Sequence, residues 1–188
     1  MFRLFVAIGL PHPLPDGLDA LRRELPGAKW VASDNLHLTL RFIGAVDESA
    51  VAEINVALAT LSAPPLIVRP TAVGVFSRHN IPAHGHMAHT LWLGVEARPD
   101  LMALAQRIDA LMAARGIGAR ERDFFPHVTL ARLKRVREQD LEAYLARAGR
   151  VRVAPVAADR CTLYRSDQAE DGVRYVALRS YPLDGAAP

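Results

Sequence analysis

The chain has 188 residues, 51% hydrophobic and 23% charged, a balance that suits one globular domain with a proper core and excludes a disordered or low-complexity chain. The net charge is only +3 and Cys161 is the sole cysteine, so charge is weak evidence for nucleic-acid binding, and an internal disulfide or a thiolate metal cluster is excluded. All basic residues but Lys29 and Lys134 are arginines; their planar forks suit phosphate, although genomic base composition explains the same bias.

The opening Phe2 to Leu10 is rich in β-formers. Its apolar run is too short for a signal peptide and ends in Pro11, Pro13 and Pro15, so it reads as a first strand. No later stretch reaches the eighteen or so apolar residues that span a bilayer, and the expectation is a soluble, cytoplasmic, monomeric protein with no membrane association. Asp16 caps a first helix carrying Leu18, Leu21 and Leu25, which Pro26-Gly27 stops. Trp30-Val31 is a short extended piece. The turn Ser33-Asp34-Asn35 then delivers the chain into a strand from Leu36 to Ile43.

A second helix starts at the N-cap Asp47 with Val51, Ile54, Leu58 and Leu61 as its buried stripe, and Pro64-Pro65 ends it. Leu66 to Phe76 reads as one long strand kinked at Pro70 and Gly74, paired with Leu91 to Val95 across a polar loop. The third helix carries Leu101, Leu104, Ala105, Ile108, Leu111 and Met112 on one face, with Gly116 just beyond it. A strand after Pro126, a fourth helix from Glu138 to Ala148, and strands at Val151 to Val156, Thr162 to Arg165 and Tyr175 to Leu178 complete the chain.

One tetrapeptide recurs: His37-Leu38-Thr39-Leu40 returns as His127-Val128-Thr129-Leu130. Two copies in a chain of this composition coincide by chance roughly once in a few hundred. On a strand, alternate side chains share a face, so each copy anchors its leucines or valine in a core and presents an imidazole and a hydroxyl together. Each copy is also followed by an amphipathic helix. That order predicts a duplicated α+β unit forming a single domain, residues 1–188, of two pseudo-symmetric lobes whose motif strands meet at the centre.

Two histidines facing one small anionic group suit in-line displacement at phosphorus. One takes the nucleophile's proton and the other protonates the leaving oxygen, and an unperturbed pKa of about 6.5 serves both roles. The threonine hydroxyls donate to the non-bridging oxygens. The scheme requires no metal and no cofactor, and the residues alone do not say which histidine is the acid. Arg41, two past Thr39, has cleft-facing parity and is a candidate phosphate or RNA contact. Arg132 has the wrong parity for a regular strand, which a bulge corrects. Phe125 and Trp30 are candidates to stack on a base, with core packing the favoured reading. His79, His84, His86 and His89 sit in the polar loop without a metal-ligand spacing, and surface polarity is the favoured reading there.

The segments Trp30 to Gly44 and Phe125 to Arg132, with both tetrapeptides intact, resemble the 2H phosphoesterase superfamily. More narrowly, they resemble the RNA 2′,3′-cyclic phosphodiesterases, historically called 2′-5′ RNA ligases. The resemblance implies a bilobal α+β fold with antiparallel sheets lining a central cleft and helices outside. It also implies opening of RNA 2′,3′-cyclic phosphate ends, tRNA fragments among them, to a 2′-phosphate. His37 then protonates the leaving 3′ oxygen, His127 activates water, and Thr39 and Thr129 hold the phosphate. The reverse 2′-5′ ligation needs no nucleotide cofactor. Rival readings are a phosphodiesterase for a small cyclic nucleotide or ADP-ribose cyclic phosphate, a non-catalytic RNA-end binding module, and an interaction protein with accidental motifs.

Overall fold

The computed structural model describes residues 1–77, 89–118, 123–169 and 172–185, without the side chains of Ser77, His89, Ala169 and Gly172. It is an α+β fold with two antiparallel sheets. The strands are β1 (Phe2–Gly9), β2 (Ala28–Trp30), β3 (His37–Val46), β4 (Leu66–Val68), β5 (Pro70–Ser77), β6 (His89–Val95), β7 (His127–Leu133), β8 (Val156–Ala158), β9 (Arg160–Ala169) and β10 (Gly172–Pro182). The helices are α1 (Leu18–Leu21), α2 (Glu48–Leu58), α3 (Pro99–Ala113) and α4 (Glu138–Ala148). The larger sheet runs β10-β9-β1-β3-β7-β6-β5 with β2 beside β7, and β4 pairs with β8 in the smaller one.

Local chemistry sets most boundaries. Asp47 caps α2, its carboxylate accepting from the Ala50 amide at 2.8 Å, which satisfies one of the helix's unpaired donors. Gly116, at φ 71°, lies just past α3, where a left-handed residue turns the chain away. The first helix is shorter than its leucine spacing predicts: Gly17 at φ 84° precedes it and only Leu18–Leu21 is helical. The long strand expected from Leu66 to Phe76 is two strands. Its first three residues pair with β8 and the rest with β6, because Pro70 has no amide hydrogen to continue one ladder.

One face of the larger sheet is core. Leu4, Val6 and Ile8 of β1, Leu38 and Leu40 of β3, Leu91 and Leu93 of β6, and Val128 and Leu130 of β7 are all buried. The helices cover that side, with α3 against β3 and α2 against α3. The opposite face carries the site. β3 and β7 pair at one rung, Leu38 opposite Val128, and β2 pairs with β7 at three more residues along that edge. No helix among the described residues is long and apolar enough to cross a membrane.

Candidate active site

The two motif strands share an irregularity. Ala7 faces Thr39 and Val6 faces Arg41, leaving Leu40 as an extra residue in β3; Trp92 faces Thr129 and Leu91 faces Ala131, leaving Leu130 extra in β7. A bulge of this kind changes which face the following side chains take. From His37 to Phe42, burial runs half-buried, buried, half-buried, buried, buried, exposed, and from His127 to Arg132 it runs the same way. His37, Thr39 and Phe42 therefore share the open face, as do His127, Thr129 and Arg132.

This corrects the expected arginines. Arg41 does not face the cleft: at 3% exposure it turns into the core side, 3.2 Å from the Asp109 carboxylate of α3 and donating to the Gly118 carbonyl. Regular alternation had put it in the cleft, and the Leu40 bulge reverses it. Arg132 gains the cleft face through the matching bulge at Leu130. Its guanidinium donates to Thr90 Oγ1 at 3.2 Å and lies near enough to Tyr175 to pull against the rise that burial causes in that phenol's pKa. Because Tyr175 belongs to β10, Arg132 reaches from one half of the sheet toward the other.

The Leu38–Val128 rung aligns His37 with Thr129 and Thr39 with His127. His37 and His127 are then diagonal neighbours, roughly 7–8 Å apart at the backbone. A cavity of about 200 Å³ is lined by His37, Thr39, Thr129, Arg132, Phe42 and Tyr175, among others. His127 is not part of that lining but lies close enough for its charge to disfavour protonation of His37.

Both imidazoles are fixed in the same way. His37 Nδ1 lies 2.6 Å from the Asn35 carbonyl and His127 Nδ1 lies 2.8 Å from the Phe125 carbonyl. A carbonyl only accepts, so each Nδ1 carries a hydrogen and each Nε2 is left to exchange a proton. Burial lowers both pKa values below the ordinary 6.5, the carbonyl bonds oppose that shift, and His127 lowers His37 further. Both shifts favour the neutral ring.

Each ring also has an aromatic surround. Phe5 and Tyr175 stand 4.9 and 5.0 Å from His37, the latter edge-on at 89°. Phe76 and Phe125 stand 5.0 and 5.9 Å from His127. Phe125 is 50% exposed beside the His127 ring and lies outside the core. Trp30 packs on Tyr144 and the core. Asn35 was not foreseen. Its side-chain nitrogen donates to the Val173 carbonyl at 2.9 Å, and its oxygen accepts from the Tyr175 amide at 3.4 Å, tying the turn that holds His37 to β10. The only sequence signal was its place two before the histidine, matched by Phe125. His79, His84 and His86 lie outside the described residues, and His89 opens β6. Among the described residues no three His, Cys, Asp or Glu side chains are grouped to hold a metal ion.

A pair of His-x-Thr strands joined at the centre of an antiparallel α+β fold defines the class, the two-histidine phosphoesterases. Within it, the chain belongs to the LigT-like phosphoesterase family, whose model matches residues 8–85 and 93–175. The RNA 2′,3′-cyclic phosphodiesterase of Aeropyrum pernix is 31% identical over 152 residues, 80% of this chain and 83% of that one. The Escherichia coli protein of the same name is 28% identical over 191 residues, 96% of each chain. The crystal structure of E. coli LigT in apo form matches with a TM-score of 0.75 at 27% identity, over 97% of this chain and 98% of that one. Its complex with 3′-AMP matches with a TM-score of 0.74.

Proposed function

We propose that this protein hydrolyses RNA 2′,3′-cyclic phosphate ends to 2′-phosphates by acid–base catalysis between His37 and His127. The observation that carries the reading is the pair of Nδ1–carbonyl bonds, which leave two Nε2 atoms free on adjacent strands whose Leu38–Val128 rung sets each histidine across from the other motif's threonine. His127 Nε2 takes a proton from water as the water oxygen attacks phosphorus in line with the bond to the 3′ oxygen. That bond breaks, and His37, which enters the step as the imidazolium, gives its Nε2 proton to the departing 3′ oxygen, leaving a 3′-hydroxyl and a 2′-phosphate. Thr39 and Thr129 donate to the non-bridging oxygens, where such donors strengthen as charge develops. Arg132 contributes a fork suited to phosphate, and Phe125 an exposed ring for a base.

RNA as the substrate rests on the names of the relatives and on the nucleotide held by E. coli LigT. A cyclic mononucleotide carries all the reacting atoms and is opened as well. A 5′-hydroxyl in place of water gives a 2′–5′ linkage by the same proton transfers. The single two-lobed domain belongs to this proposal, since each lobe supplies one histidine and one threonine.

The test is hydrolysis of a short RNA ending in a 2′,3′-cyclic phosphate, with EDTA present, by wild type, His37→Ala and His127→Ala. Wild type yields a 2′-phosphate and each substitution lowers the rate about 10²- to 10⁴-fold. An unaffected rate in either variant refutes the paired mechanism, and tight binding without turnover by wild type points to a binding module.

A further inference from the structure

On the cleft-bearing face of the sheet, beyond β1, lies a second groove of about 350 Å³, with Gly9, Thr162, Tyr164, Ala177 and Ser180 among its lining. The register shows that the face is shared. Phe5 is opposite Tyr164 and Ala7 opposite Thr162, while Ala177 and Ser180 of β10 face Tyr164 and Thr162 in turn. Cross-strand partners project to the same side. A single wall divides groove from cleft: the Tyr164 ring, in the groove, stacks on Phe5, in the cleft, with centroids 5.2 Å apart and planes 14° from parallel.

That wall is anchored at Gly9, which also lines the groove. Gly9 is paired with His37, and a Cβ there would come within 2.8 Å of the Tyr164 hydroxyl. Bare backbone is what fits under that hydroxyl, so the Tyr164 ring lies down against β1 beside His37, 6.4 Å between ring centroids, as the wall that groove and cleft share.

The groove's chemistry differs from that of the cleft. Its charges, Asp159 and Arg160, close on each other through contacts of 2.8 and 3.1 Å and cancel. Its floor is a hydroxyl pair, Thr162 Oγ1 and Ser180 Oγ, 2.8 Å apart. Whichever donates, the other keeps a hydrogen for a ligand. Leu10 and Pro11 give it an apolar flank. A phosphate finds no unpaired cation in such a lining, whereas a nucleoside finds apolar contact, an aromatic edge and hydroxyls to bond.

Building on the reaction proposed above, we propose that this groove receives the nucleoside on the 5′ side of the nucleotide bearing the cyclic phosphate. The protein then reads an oligonucleotide end and not the reacting ring alone.

The experiment compares KM for a 2′,3′-cyclic mononucleotide and for a dinucleotide ending in a 2′,3′-cyclic phosphate, in wild type and in Ala177→Trp. Ala177 is exposed on the edge strand β10 and lines the groove but not the cleft. Filling the groove raises the dinucleotide KM about tenfold and leaves mononucleotide kinetics unchanged. Ser180→Ala, which adds no bulk, raises the dinucleotide KM about threefold. An equal rise for both substrates in both variants overturns the assignment, because the groove then holds the terminal nucleotide itself. No change for either substrate overturns it as well. If wild type opens neither substrate, the acid–base reading has failed, a result distinct from either of those.

Discussion

Asn35 is the residue whose removal tests the geometry most directly. Replacing it with alanine leaves its carbonyl, and so the acceptor for His37 Nδ1, but cuts the two side-chain bonds to Val173 and Tyr175. The 2.9 Å bond is worth about 1 kcal/mol and the 3.4 Å contact a fraction of that, so the melting temperature falls by about 2–4 °C. Catalysis loses more than stability. The carbonyl that orients His37 is no longer tied to β10, and a displacement on the order of 1 Å at a reacting group costs up to about 10²-fold. The expected result is a kcat about 10- to 100-fold lower with KM nearly unchanged, measured on a cyclic-phosphate RNA end. Asn35→Asp keeps an acceptor for the Tyr175 amide and falls between the two. If Asn35→Ala lowers the melting temperature while kcat holds, the residue only braces the fold and the reasoning is wrong.

Three further outcomes follow from the same geometry. Both histidines have folded pKa values below the ordinary 6.5 of the unfolded chain. Stability is therefore fully present above about pH 6.5 and is lost as pH falls from there through the lowered values; urea midpoints at pH 7.5 and 5.5 show this slope, and His37→Gln flattens it. For kcat/KM, which reports the free enzyme, the base must be deprotonated and the acid protonated, so with both values lowered the optimum lies on the acid side of about 6.5; an optimum above pH 8 contradicts the assigned environment. Arg41→Met breaks a half-buried ion pair with Asp109 and costs about 1–3 kcal/mol by denaturant unfolding, while kcat/KM of the folded fraction stays within about twofold.

The motif strands were legible because residue types and period agree. Half-buried His and Thr alternate with buried Leu and Val in both copies, and the Asp47 cap and the Glu138–Ala148 helix were equally local in origin. What was missed is what depends on partners. A bulge is decided by the neighbouring strand, so counting twos along β3 put Arg41 in the cleft when Phe42 is there. A hint existed in β7, where strict alternation would bury Arg132 beside Val128 and Leu130. Asn35, Ser166 and Tyr175 come to the cleft from a turn and a distant hairpin, and nothing local in the chain announces that meeting. The break between β4 and β5 likewise depends on β8, almost ninety residues on in the chain.

The lone Leu38–Val128 rung has a consequence for tuning. In most sheets a row of main-chain bonds fixes the spacing of adjacent strands, but β3 and β7, which carry the two imidazoles, pair with each other at a single rung, and β2 takes the rest of that edge of β7. The distance between the imidazoles is then a property of the oil beneath them: Leu38, Leu40, Val128 and Leu130 all lie in the core. One methylene more or less at these four positions changes the gap between Nε2 atoms without altering a polar group. Evolution or design can retune this reaction from the buried side of the sheet.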